Sequence, residues 1–302
     1  MAEERQQLIG YLAAAGTVAI WTGFILISRL GGKSALTAYD IMALRMGTAS
    51  LLLLPFARSL PAGSWRNPRL WTLAMLGGLL YGVLVYAGFK QAPAAHGAIL
   101  LPGMQPFLIA AVAFLLYGQK TSRLRLIGLA CIGLGVTSAA VPLLGGQWSP
   151  ALLLGDGLIF VSSLVWAFYS VLARRWSFDP WTLTRFVAFA STLVYLPVYL
   201  LWLPKQLTAV PTSTLVIQGL YQGIGPTIVA MLLFLKAVSH LGAERTGAII
   251  ALVPVVAGIA AAPLLDEPLT GWLVAGLFCV SLGAYIAARP ITPTPRSATC
   301  PT

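Results

Sequence analysis

The side chains able to do chemistry are few, and their spacing suits holding a solute better than cutting one. Ser162, Ser163, Trp166 and Tyr169 fall on one face of a helix, because residues three, four and seven apart stack along the same side. Tyr81 follows Gly77-Gly78, where a close helix approach leaves a hydroxyl facing a cavity. Gln105 stands beside Pro106, His96 opens the same apolar run, and Tyr221-Gln222 lie between Gly219 and Gly225-Pro226. Trp21 completes the set. A mid-span tryptophan is more often packing than ligand contact, and Trp166 has the stronger claim because its face is polar. Hydroxyls, amides and half-helix N-termini hold carboxylates, while rings stack on apolar groups. The expected partner is therefore a small zwitterion, an amino acid with an aromatic or large apolar side chain. A nucleotide or sugar phosphate would want paired buried cations, which this set lacks.

Catalysis fits less well. An intramembrane aspartyl protease needs two facing aspartates, but Asp40 and Asp156 lie near the ends of apolar runs and the Gly-x-Gly-Asp motif is absent. No Gly-x-Ser-x-Gly stretch offers a serine nucleophile. Cys131, Cys279 and Cys300 make no CxxC or Cys/His pattern, so no metal and no cofactor is expected. Arg45 is the costly residue, since a centred arginine costs about 2.5–3.5 kcal/mol on insertion scales. It follows Asp40 by five positions, and an anchor or inter-helix donor outweighs carboxylate recognition as its reading. No carboxylate is mid-span, which points to facilitated diffusion, with His96 the alternative proton carrier.

These residues must be held by membrane helices. Of 302 residues, 58% are apolar and 9% charged, with a mean hydropathy of +0.86. A soluble domain carries roughly 25% charged residues, so the composition excludes an ordinary cytosolic enzyme, a disordered chain and a nucleic-acid binder. A helix crosses the bilayer core with about 20 apolar residues. Ten stretches qualify, at 8–30, 38–57, 70–89, 94–117, 124–143, 152–173, 182–203, 213–236, 246–265 and 270–288. The first is too long for a signal-peptide core, so it is read as an uncleaved span.

The net charge of +11 has a topological cause. Alternate connections hold 14 lysines and arginines on one side and 4 on the other, with Arg45 inside a span. That asymmetry places both termini in the cytoplasm.

The chain also repeats itself. A shift of 145 residues lays Gly10, Trp21 and Arg29 on Gly155, Trp166 and Arg174, and Gly78 on Gly223. After a three-residue slip, Pro106, Gly128, Cys131 and Gly135 meet Pro254, Gly276, Cys279 and Gly283. Five spans per copy is odd, so the second copy is inverted. The expected division is a first repeat over 1–145, a second over 146–289, and a disordered cytoplasmic tail over 290–302. Inverted repeats with Gly/Pro-interrupted spans at corresponding positions mark secondary transporters. Gly103, Pro106 and Pro254 are accordingly read as hinges.

The pattern resembles the ten-helix EamA-like family of the drug/metabolite transporter superfamily. The carrying residues are Trp21 and Trp166, Arg45 and Arg185 opening each second helix, Pro106 and Pro254, and the acidic turn Asp266-Glu267-Pro268. The first copy departs from that turn with Gly118-Gln119-Lys120. Within the family the chain looks most like aromatic amino-acid exporters of the YddG type. The resemblance implies export across the bacterial inner membrane by a carrier functional as a monomer. Other carriers of the superfamily, for drugs, nucleosides or sugars, are the alternative.

Overall fold

A computed structural model describes residues 2–119, 121–144 and 149–288. The expected repeat boundary at 145/146 and the expected tail at 290–302 lie outside the described residues. Among the described residues, ten helices are long and apolar enough to span a membrane: α1 (Glu4–Lys33), α2 (Ala38–Ser59), α3 (Pro68–Phe89), α4 (Ala94–Tyr117), α5 (Arg123–Val141), α6 (Pro150–Trp176), α7 (Pro180–Trp202), α8 (Thr212–Gly242), α9 (Arg245–Leu265) and α10 (Gly271–Ala288). Among the described residues there is no strand. Large apolar side chains such as Leu51, Leu115 and Leu201 stay on the outside, as a lipid-facing surface requires.

Local chemistry sets the ends. Thr37 caps α2 by accepting from the Asp40 amide, while Asp40 accepts in return from the Thr37 amide. Ser149 caps α6 ahead of Pro150, and Asp179 caps α7 ahead of Pro180. Gly118, with φ of 63°, ends α4. The largest departure from the expected spans is α8, which runs six residues past 236. It stops at Gly242, whose φ of 83° an L side chain rarely adopts.

The inversion is written in the crossing of α5 and α10. A Cβ on Gly128 would lie 2.6 Å from the Gly283 carbonyl oxygen, and one on Gly135 would lie 2.8 Å from that of Gly276. Between these crossings the Cys131 thiol donates to the Cys279 carbonyl at 3.2 Å. As one number rises the other falls, so the helices are antiparallel. Because 128 corresponds to 276 and 135 to 283, each contact is the repeat image of the other. Two copies whose equivalent helices run antiparallel and touch themselves are related by a two-fold axis in the membrane plane. The other pairings obey it: α1 packs on α8 as α6 packs on α3, while α2 meets α7. At that last crossing Ser50 donates to Ala188 O at 3.0 Å, and Thr192 to Met46 O at 3.0 Å.

The face where α1 ends and α2 begins is stitched by polar bonds. Arg29 Nε meets Glu267 Oε1 at 2.6 Å, and its Nη1 donates to Phe89 O at 2.9 Å. Glu267 Oε2 accepts from the Ala94 amide at 2.7 Å. Lys90 donates to Ser34 O and Leu36 O, at 2.9 and 2.7 Å. Burial holds its ammonium below the ordinary lysine range, with Asp40 opposing that shift and Arg29 adding to it. These bonds tie the ends of α1, α3 and α9 to the starts of α2 and α4.

Candidate functional site

The helices bend where the repeats meet. In α3 the backbone widens into π-helical turns over Ala74–Leu80, and in α8 over Ile217–Tyr221 and Gly225–Val229. In α4 a π-helical stretch over Ile99–Gly103, containing Pro102, gives way at Met104 to a fresh helix from Gln105. In α9 the matching interruption falls at Ala251-Leu252, before Val253 and Pro254. Such wide or broken turns leave carbonyls without intrahelical partners, and a membrane forces other groups to satisfy them. Ser163 on α6 does so, donating to Leu100 O at 2.6 Å.

Between these interruptions lies a cavity of about 230 Å³. Aromatic rings from both repeats form its wall. Tyr81 on α3 and Trp166 on α6 have ring centroids 4.8 Å apart, and Trp166 and Tyr169 stand 4.9 Å apart. Phe24 on α1 continues the series, 6.4 Å from Tyr81 and stacked at 21°. Trp21 also lines the cavity and stacks on Phe234 at 5.8 Å. Gly77 makes room for Tyr169, since a Cβ there would lie 2.4 Å from the ring.

The expected site residues divide. Trp21, Tyr81, Gln105, Trp166 and Tyr169 line this one cavity. Ser163 stands behind the wall, where its own carbonyl accepts from Gln105 Nε2 at 3.1 Å. Tyr221 is turned away, donating to Ile20 O at 3.0 Å and packing where a Cβ on Gly23 would stand. Gln222 is wholly buried, accepting from the Tyr86 hydroxyl at 3.3 Å and donating to Ser28 Oγ at 3.0 Å. His96 is outside the cavity, with its Nδ1 2.9 Å from Asp156. Neither Pro106 nor Pro254 lines the cavity; Pro102 and Val253 do. Gly103 is buried beneath Val280. That Tyr221, Gln222 and His96 stand apart from this lining was not legible in the sequence, for one reason. A polar residue in a span reads the same whether it faces a void or a neighbouring helix.

Arg45 lines the cavity, and Asp40 is not its partner. Asp40 accepts from Tyr199 at 2.6 Å and from the Gln206 amide at 3.1 Å. Arg45 donates instead to Tyr86 Oη at 3.2 Å and Thr227 Oγ1 at 3.3 Å, with its guanidinium 5.6 Å from the centre of the Phe24 ring. Tyr86, Phe24 and Thr227 carried no recognisable sequence signal. Asp40 and Asp156 sit in separate clusters, so the protease pairing is not formed.

The EamA-like transporter family profile matches residues 8–140 and 153–289, one match per repeat. The chain is 25% identical over 286 residues to an uncharacterized transporter of Archaeoglobus fulgidus, covering 92% of this chain and 98% of that protein. It is 26% identical over 211 residues to the uncharacterized transporter YetK of Bacillus subtilis, covering 69% of this chain and 62% of YetK, under two thirds of that protein's length. A crystal structure of 20% sequence identity superposes over 94% of this chain and 97% of its own, with a TM-score of 0.59. At that identity the likeness concerns the fold alone.

Proposed function

The chain belongs to the EamA-like transporter family of the drug/metabolite superfamily, and on that premise we propose that it carries amino acids with aromatic or large apolar side chains out of the cytoplasm by alternating access. The observation behind this reading is the ring series Phe24, Tyr81, Trp166 and Tyr169, drawn from α1, α3 and α6 around one cavity. A solute stacked there touches both repeats at once, so rocking one repeat against the other transfers it from face to face. The volume supports a small solute. About 230 Å³ falls below the roughly 300–1,000 Å³ of drug-sized pockets.

In this reading both termini are cytoplasmic, on the strength of the 14-to-4 distribution of basic residues, and the protein resides in the bacterial inner membrane. The repeats divide near 145/146, Pro106 and Pro254 mark the bending points, and a monomer suffices. The polar stitching around Arg29 and Glu267 then closes the outer face, and the cavity serves the inner one. The test is a counterflow screen of labelled phenylalanine, tryptophan, nucleosides and a cationic drug on purified, reconstituted protein. Saturable counterflow of the aromatic amino acids alone supports the reading, and counterflow of the nucleosides or the drug alone overturns it.

A further inference from the structure

We infer that Arg45 is the specificity-determining residue of the cavity and binds a carboxylate, so that the solute's carboxylate is required and its ammonium is dispensable. This rests on the aromatic-solute reading of the same cavity. A second arginine, on the corresponding helix of the other repeat, provides an internal comparison. Arg185, on α7, makes four bonds to protein through all three of its nitrogens: it donates to Trp181 O at 3.2 Å, Phe56 O at 3.1 Å, Ser59 Oγ at 2.5 Å and Thr182 Oγ1 at 3.4 Å. Its guanidinium also lies 5.3 Å from the Trp181 ring centre. Arg45 is 6% exposed and reaches two neutral hydroxyls, through Nε and Nη1. Among the described residues its Nη2 has no hydrogen-bond partner and no carboxylate stands within salt-bridge distance.

A buried guanidinium without a counter-charge is costly in a membrane, and a ligand that supplies the charge recovers that cost on binding. The planar fork of donors matches a carboxylate. Among the described lining residues Arg45 is the one charged side chain, so a single negative charge neutralises the wall. No lining carboxylate awaits an ammonium. The nearest equivalent is the neutral Gln105 Oε1, a buried acceptor without a partner. Charge-assisted bonds outweigh neutral ones roughly twofold, so the carboxylate end dominates recognition.

The experiment is calorimetric titration of the purified full-length protein in nanodiscs with three probes: L-phenylalanine, 3-phenylpropionate and L-phenylalaninamide. The first two should bind within about threefold of each other, and the amide at least about tenfold more weakly. Arg45→Gln should remove the preference for carboxylate, and Arg45→Lys, which keeps the charge but not the fork, should retain part of it. The wild-type series decides the carboxylate requirement without any variant. An amide that binds as tightly as phenylalanine overturns this inference and leaves the aromatic reading standing. An Arg45→Gln protein that keeps the wild-type preference overturns the assignment to Arg45. Failure of all three probes to bind overturns the aromatic reading beneath it, a separate result.

Discussion

The rings of Tyr81 and Trp166 stand 4.8 Å apart, centroid to centroid, one from each repeat. Neither ring is held by its own repeat alone. Gly77 clears space for Tyr169, the next ring in the series, and Ser163 fixes α6 to the broken turn of α4. The cavity wall is therefore a joint product of the two copies, and relative motion of the copies must disturb it.

Tyr81→Ala and Trp166→Ala should each lower counterflow by about tenfold or more, with expression and thermal midpoint near wild type. Because the rings touch, their effects should couple, by about 0.5–1.5 kcal/mol in a double-mutant cycle of solute binding. Wild-type rates in both variants would remove these rings from the site.

Gly77→Ala should act at a distance on the same wall. Its Cβ would strike the Tyr169 ring, so the ring must move into the cavity or the helices must part. Gly47→Ala is the control, since nothing lies within 4 Å of that position. Counterflow should fall in the first variant and hold in the second.

The α5–α10 crossing predicts stability rather than transport. Gly128→Val should cost about 1–3 kcal/mol through overpacking against the Gly283 backbone. Gly133→Val lies on the same helix with open space around it and should be nearly neutral. The thermal midpoint in detergent checks both.

Glu267→Gln removes the charge facing Arg29 and weakens the stitching that joins α9 to α1 and α4. A cysteine substituted at Leu36, fully buried beside that network, should then react with a polar thiol reagent several-fold faster than in the parent. Equal rates would mean that the ion pair does not hold this face shut.

The ten spans were legible because a bilayer allows few ways to bury about 20 apolar residues; the caps Thr37, Ser149, Asp179 and Gly118 that set their ends emerged only in the structure. The inversion was legible because Gly128, Cys131 and Gly135 and their counterparts sit where two backbones touch, which leaves little freedom of side chain. The site was legible only in part. Tyr81, Gln105, Trp166 and Tyr169 reach the cavity because glycine and proline interruptions lie beside or across from them. Gln222 and Tyr221 had similar neighbours, yet Ser28 and Ile20 across the α1–α8 contact claim them. The cost of Arg45 was visible in the sequence, whereas its bonds to Tyr86 and Thr227 on other helices and the engagement of Asp40 by Tyr199 were not. Long-range partners decide such cases.

Alternate exposure of the cavity is tested most directly by one labelled position. Met231 lines the cavity from α8 without belonging to the ring series. In a background with Cys131, Cys279 and Cys300 replaced by alanine, Met231→Cys should react with an impermeant maleimide added to either face of sealed, uniformly oriented proteoliposomes. Saturating phenylalanine should slow both reactions. Labelling confined to one face, with or without the amino acid, would contradict alternating access through this cavity.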